Sequence, residues 1–226
     1  MSEEATNGKA HIDIGLLGPR GVGKTSLVVA MMDAGAKSLA GTPVTVAASP
    51  RSAARINKFK AQLRSWVRSG EFRSPALAGT PGLDRLEFEL SVDRDPSIGV
   101  SFEIMDYPGG WLGLSEKPKD YDEFLRHVEQ SAILLVVIDS TYIMEASELW
   151  VREGLDEAIQ IVPVESVVRT WAKSRIRQTD EPAVLMFVPV KCETYLPDNG
   201  GRLDFAEKLF DQVNEYYGEA IEIAEA

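Results

Sequence analysis

A lysine followed by a hydroxyl, Lys24-Thr25, closes the run Gly18-Pro19-Arg20-Gly21-Val22-Gly23-Lys24-Thr25. The run is G-x-x-x-x-G-K-T without a mismatch, and its chemistry is anion binding. Glycines let successive backbone N–H groups curl around phosphates, the lysine reaches the outer phosphates, and the threonine hydroxyl can ligate Mg2+. The flanks suit that chemistry. His11 to Leu17 reads as a strand, and Ser26 to Met32 reads as the opening of a helix whose N-terminus faces the phosphates. Gly18, Gly21, Val22, Gly23, Lys24, Thr25 and Ser26 are therefore the expected phosphate contacts, with Thr25 a Mg2+ ligand. The pattern implies a bound nucleoside triphosphate.

A second constellation lies at Asp106-Tyr107-Pro108-Gly109. The strand-like run Phe102 to Met105 delivers Asp106 to the Mg2+ shell, and the N–H of Gly109 can face the γ-phosphate, so that loss of the phosphate releases the loop. The bland reading is an ordinary Asp-Pro-Gly turn. Asp139 competes as a metal residue, since it ends the apolar run Ile133 to Ile138 as the Walker B aspartate of ATPases does. Such ATPases follow it with a water-activating glutamate, whereas Ser140 follows here, so Asp139 reads as a strand-end residue.

A third constellation is Val190-Lys191-Cys192-Glu193. GTPases carry N/T-K-x-D at this point, the lysine stem lying along guanine and the carboxylate accepting its N1 and N2 hydrogens. Lys191 and Glu193 keep the cation and the carboxylate, which favours guanine. A solvated pair at a strand end is the alternative. For catalysis the candidates are Lys24 and Arg20, the latter placed to supply charge in cis or to point to solvent. Gly110 has no side chain to position a water, so turnover of about 10⁻² s⁻¹ or less is expected.

Positioning these residues requires alternating strands and helices, the signature of an α/β doubly wound sheet. The expected fold is a three-layer P-loop NTPase sheet, mostly parallel, with one antiparallel edge hairpin formed by Leu86–Val92 and Val100–Met105 around the turn Asp93 to Ser97. Ala132–Ile138 and Ala183–Val190 are central strands by their continuous apolar character. Helices are expected over Asp122–Gln130, Tyr142–Ile161, Val164–Arg177 and Leu203–Tyr217, with Pro163 separating the second from the third. Ile221 and Ile223 mark a further short strand. Residues 1–10 read as a flexible tail and 11–226 as a single P-loop GTPase-like domain.

Between Lys37 and Asp84 lies an insertion carrying an amphipathic helix around 50–69. Ile56, Phe59, Leu63, Trp66 and Val67 form its apolar face. Arg51, Arg55, Lys58, Lys60, Arg64 and Arg68 accompany no acid between Arg51 and Arg68. This is a solvated basic face or a docking surface for an acidic partner, and contact with an anionic membrane through 51–68 is the less favoured reading. Thr80 is the expected Mg2+-sensing threonine of a first switch, with Ser74 and Thr42 as rivals.

Several segments together resemble a known group. Asp106-Tyr107-Pro108-Gly109-Gly110-Trp111-Leu112 is similar to the D-Y-P-G-E-W-L switch of the bacterial YcjX-like GTPases. Val188 to Tyr195 and Ile138 to Glu145 resemble segments of the related bacterial double-GTPase group. The resemblance implies a TRAFAC-type GTPase that binds GTP or GDP with Mg2+ and acts as a slow switch stimulated by a protein partner or by self-association. Gly110 departs from the glutamate of that switch. A regulatory or assembly module with little hydrolysis, or an ATP-using P-loop protein, remains the alternative.

Bulk properties narrow the field. The 226 residues are 44% hydrophobic, enough for a core. A net charge of −11 argues against a nucleic-acid binder. One cysteine excludes an internal disulfide, and His11 and His127 stand too far apart in sequence to suggest zinc spacing. With no signal peptide and no apolar run long enough to span a membrane, the expected location is cytoplasmic.

Overall fold

In the computed structural model the described residues are 9–69, 82–144, 161–176, 182–192 and 202–225. Six strands form one mixed sheet: β1 (Ala10–Leu17), β2 (Val44–Ala48), β3 (Asp84–Val92), β4 (Asp95–Asp106), β5 (Ile133–Asp139) and β6 (Val184–Val190), in the order β2-β3-β4-β1-β5-β6. β1 pairs parallel with β4 and β5, and β5 with β6. β3 alone runs against its neighbours, pairing antiparallel with β2 and β4. The helices are α1 (Lys24–Ser38), α2 (Pro50–Ser69), α3 (Tyr121–Gln130), α4 (Ile161–Ile176) and α5 (Arg202–Glu225). A 3-10 turn spans Gly109–Gly113.

The layering follows from strand alternation. Leu16 and Leu17 are both fully buried yet belong to different clusters. Leu16 joins Val28 of α1, Ile56 of α2, and Leu86, Phe88 and Ile104 of the sheet. Leu17 joins Phe124 of α3, Val168 and Trp171 of α4, and Val213 and Tyr217 of α5. β5 and the Ile14–Leu17 end of β1 are therefore covered on both sides, which is why they are apolar without alternation, whereas His11 and Asp13 alternate with Ile12 and Ile14 at the less buried end of β1. Burial of each such leucine contributes about 1.5–3 kcal/mol. β3 alternates instead, with Leu86 and Phe88 buried and Glu87 outside.

The structure corrects several expectations. The hairpin strands extend to Asp84–Val92 and Asp95–Asp106, leaving only Asp93 and Arg94 to turn the chain. A register shift between Ser91 and Val92 lets the longer strands pair. At Gly99 a Cβ would lie 2.4 Å from the Leu90 carbonyl oxygen, so the bulged ladder tolerates only glycine there. Ala183–Val190, expected to be central, supplies β6 at one end of the described sheet, paired with β5, and the hairpin is not the other edge. β2 is, and it lies in the segment read as an insertion: Val44-Thr45-Val46 is β-branched and pairs with Leu90 to Val92. Ile221 and Ile223 belong to α5 rather than a strand, because Leu209, Val213, Tyr217 and Ala220 keep a helical period of burial through that point. α4 spans Ile161–Ile176 and contains Pro163, so that proline lies within the helix rather than ahead of it, and the helix expected over Tyr142–Ile161 falls largely outside the described residues. Among the described residues no helix is long and apolar enough to cross a membrane.

Candidate phosphate and metal site

The glycine loop joins β1 to α1. Gly18, Gly21 and Gly23 have φ of 151°, 75° and 111°, conformations that side chains disfavour. A Cβ on Gly18 would also lie 2.9 Å from the Val137 carbonyl oxygen. Val22 is buried, its side chain anchoring the loop. Gly23 caps α1 without a side-chain hydrogen bond, so Thr25 and Ser26 open a helix whose first N–H groups are served by no capping side chain.

Tyr107 fixes this loop from the neighbouring strand. Its hydroxyl accepts from the Gly18 N–H and donates to the Gly18 carbonyl, both at 3.2 Å. The ring stacks on Phe124 with centroids 4.0 Å apart. Burial pushes the hydroxyl well above its ordinary pKa, so it stays protonated. Tyr107 was not singled out as a site residue by the sequence, although it sits inside the D-x-x-G segment.

Lys24 is buried, its ammonium donating to the carbonyls of Gly18 (2.8 Å) and Pro19 (3.1 Å) and lying 4.7 Å from the Tyr107 ring centroid. Burial lowers its pKa from 10.5 to about 8, with Asp106 opposing the shift. Gly109 stands against the same group. A Cβ there would lie 2.7 Å from the Lys24 ammonium and equally close to the Arg20 backbone. Contact at this range explains the glycine. Arg20 is exposed, and its Cδ would be 3.9 Å from a Cβ on Gly110. The arginine arm thus lies beside Gly110.

Asp106 completes the cluster. The Thr25 hydroxyl donates to its Oδ2 at 3.0 Å, bringing two hard oxygen donors together beside the lysine. Oxygen pairs of this kind suit Mg2+, which is held through one or two protein ligands plus substrate oxygens. A residue the sequence placed only on a basic surface also enters. Arg55 of α2 donates to Asp106 Oδ2 at 3.2 Å and pairs with Asp84. α2 is seated for this by Ser52, whose hydroxyl accepts from the Glu87 N–H at 2.9 Å, and by buried Ile56. The spacing of Ser52, Arg55, Ile56 and Phe59 on one helix face was the available signal.

Other expected residues are placed differently. Asp139 lies apart from Thr25 and Asp106 in its bonding: Lys191 donates to its Oδ2, and its Oδ1 accepts from the Thr141 N–H at 3.1 Å. Lys191 is the one non-glycine residue of positive φ among the described residues, at 58°. Thr42 is engaged in the α1–β2 turn, its hydroxyl donating to the Leu39 carbonyl at 2.7 Å. Glu193, Thr80 and Ser74 fall outside the described residues. A cavity of about 890 Å³ lies among β6, α4 and α5 and is lined by Leu185, Phe187, Leu209 and Val213. No residue of the glycine loop lines it. A smaller one of about 90 Å³ adjoins Pro19, Arg20, Asp139 and Tyr142.

The fold and site together define an α/β protein with a mixed six-stranded sheet and a glycine loop gathered around a buried lysine. No protein-family model matches the sequence, and no curated protein matches it either.

Proposed function

We propose that the chain binds GTP and GDP with Mg2+ and works as a slow nucleotide-dependent switch. The observation that carries this reading is the convergence of Lys24, Thr25, Asp106 and Gly109 on one glycine loop, from two separate stretches of sequence. Phosphate oxygens replace the Gly18 and Pro19 carbonyls as partners of the Lys24 ammonium. Thr25 and Asp106 hold Mg2+, which when bound neutralises charge on the phosphate oxygens. Gly109 sits so close to Lys24 that a phosphate at the ammonium is sensed by the Gly109 segment and the 3-10 turn behind it. Arg20 stands at the open side, where it supplies charge to the outer phosphate.

Guanine selectivity rests on Lys191 and Glu193. Slow turnover follows from Gly110, which offers no group to orient water. A partner or a second copy of the chain then raises the rate. The test is calorimetric titration of GTP, GDP and ATP with Mg2+ into the parent, Lys24→Ala and Glu193→Ala proteins. GTP and GDP bind at least about 30-fold tighter than ATP, roughly 2 kcal/mol, and Glu193→Ala erases most of that difference. Lys24→Ala binds none of them. Equal affinities for GTP and ATP would refute the guanine assignment, and undiminished binding by Lys24→Ala would refute the phosphate site itself.

A further inference from the structure

Only two histidines occur in the chain, 116 positions apart, and the fold brings both to one place. Asp13 of β1 is the parallel-register neighbour of Glu103 on β4, so two carboxylates stand side by side on one face of the sheet. Like charges in that position repel unless a cation lies between them. The Glu103 side chain is only 13% exposed, which sharpens the need. His127 of α3 covers the pair. One ligand atom each from Asp13, Glu103 and His127 lie within 4.8 Å of one another. His11 joins from the edge, its Nε2 donating to Asp13 Oδ1 at 3.1 Å.

The histidines are held as metal ligands are held. His127 is buried, and its Nε2 lies 3.2 Å from the Ile14 carbonyl. A carbonyl only accepts, so Nε2 carries a proton, and Nδ1 is the ring nitrogen that faces Glu103, 3.8 Å away. This is the backbone anchoring that fixes tautomer and orientation in metal-binding histidines. His11 has the matching support: its Nδ1 lies 2.8 Å from the Ser101 hydroxyl. The cations already present are an incomplete answer to the two carboxylates. Arg85 donates to Glu103 at 2.8 Å but divides itself with Glu123 at 2.7 Å and is partly exposed.

We propose that Asp13, Glu103 and His127, with His11 as fourth ligand, bind a divalent transition-metal ion of the Zn2+ class. A tetrahedral ion with ligand bonds of about 2.1 Å sets its ligands about 3.4 Å apart, so closing the spacing of Asp13, Glu103 and His127 needs shifts on the order of 1 Å, while His11, outside that group and held to Asp13, swings further to reach the ion. Two imidazoles with two carboxylates select borderline divalent ions over Mg2+ or Ca2+, which prefer oxygen alone. On ligation the His11 ring proton moves from Nε2 to Nδ1, where the Ser101 hydroxyl accepts it, and Arg85 is left to Glu123. The site is separate from the glycine loop. It lies about 17 Å along β1 from Gly18, on the α3 side of the sheet, whereas Asp106 faces α1 and α2. It does not depend on the nucleotide reading.

The test is titration of Zn2+ and Co2+ into the chelator-stripped, nucleotide-free full chain, with Mg2+ as control. One equivalent of Zn2+ binds with a Kd of about 1 µM or tighter, and Co2+ gives the visible absorption of a low-coordinate site. Asp13→Asn and His11→Ala, both at part-exposed positions that leave folding intact, each weaken Zn2+ at least about 10-fold, and His127→Ala removes it. Arg85→Gln acts in the opposite direction, tightening Zn2+ by relieving competition for Glu103. A purely structural ion-pair cluster predicts no such gain. No Zn2+ binding at 100 µM, on the order of a Kd too weak to matter, overturns the proposal. So does binding that Asp13→Asn and Arg85→Gln leave unchanged, since the ion is then elsewhere, or Mg2+ competing as an equal.

Discussion

Lys24→Met separates what the glycine loop does for binding from what it does for stability. At pH 7 the folded chain holds Lys24 charged in a buried place, where its pKa falls from 10.5 to about 8. At 1.36 kcal/mol per pH unit, carrying that charge costs the folded state about 3 kcal/mol relative to the unfolded chain. Methionine keeps the stem's volume and removes the charge, but leaves the Gly18 and Pro19 carbonyls without a donor, a loss of about 1 kcal/mol apiece. The net expectation for the ligand-free variant is a gain of about 1 kcal/mol. Urea denaturation measures it as a higher midpoint with an unchanged slope. The pH dependence supplies an independent readout. Between about 8 and 10.5 the unfolded chain binds the proton and the folded chain does not, so the parent's stability rises with pH across that window. Lys24→Met lacks this rise. GTP with Mg2+ raises the midpoint of the parent and leaves that of the variant where it was. A ligand-free variant less stable than the parent at pH 7 would refute the reasoning, since Lys24 would then be a net structural asset rather than a group held at a cost for its ligand.

Gly109→Ala places a methyl 2.7 Å from the Arg20 backbone and the Lys24 ammonium, so we expect a loss of about 2 kcal/mol in thermal unfolding and GTP binding weakened at least tenfold, read by calorimetry. Arg55→Ala frees Asp106 of a competing cation while leaving Asp84 without it. The ligand-free chain loses about 1–3 kcal/mol, and the Mg2+ concentration needed for half-maximal GTP binding falls several-fold in a Mg2+ titration; a higher requirement would mean that Arg55 orients Asp106 rather than competing for it.

The strands were legible wherever one residue type settled the matter. β5 and the Ile14–Leu17 end of β1 are apolar on both faces because both faces are covered, and β3 alternates because Leu86 and Phe88 face the core. β2 was missed for the converse reason. Its five residues, Val44 to Ala48, are a short run with no large side chain, and their pairing partner, Phe88 to Val92, lies some forty residues further on. Strand identity there is conferred by the neighbour's open hydrogen bonds, which no local window contains. The continuation of α5 past Gly218 is similar. A glycine costs a helix about 1 kcal/mol, and burial of Tyr217 and Ala220 on either side offsets it.

The same distinction governs the site. Gly18, Gly23, Lys24 and Thr25 are consecutive or nearly so, and one backbone turn brings them together, so their spacing carries the chemistry. Gly109 is different: its need to be glycine comes from the Arg20 backbone and the Lys24 ammonium, on another strand's loop. Only the D-x-x-G pattern revealed it. Tyr107, Arg55 and His127 were harder to assign, because their partners Gly18, Asp106 and Glu103 lie on other elements than their own. Arg55 is the instructive case. Read along the helix it is one of six basic residues on a surface. Read in the fold it is the residue of that set that shares a carboxylate oxygen with Thr25, so the docking of α2 on β3 and the charge state beside the glycine loop are set by the same side chain. Spacing within an element shows what a loop can hold. What competes for that site is decided by which helix the sheet allows to lie against it.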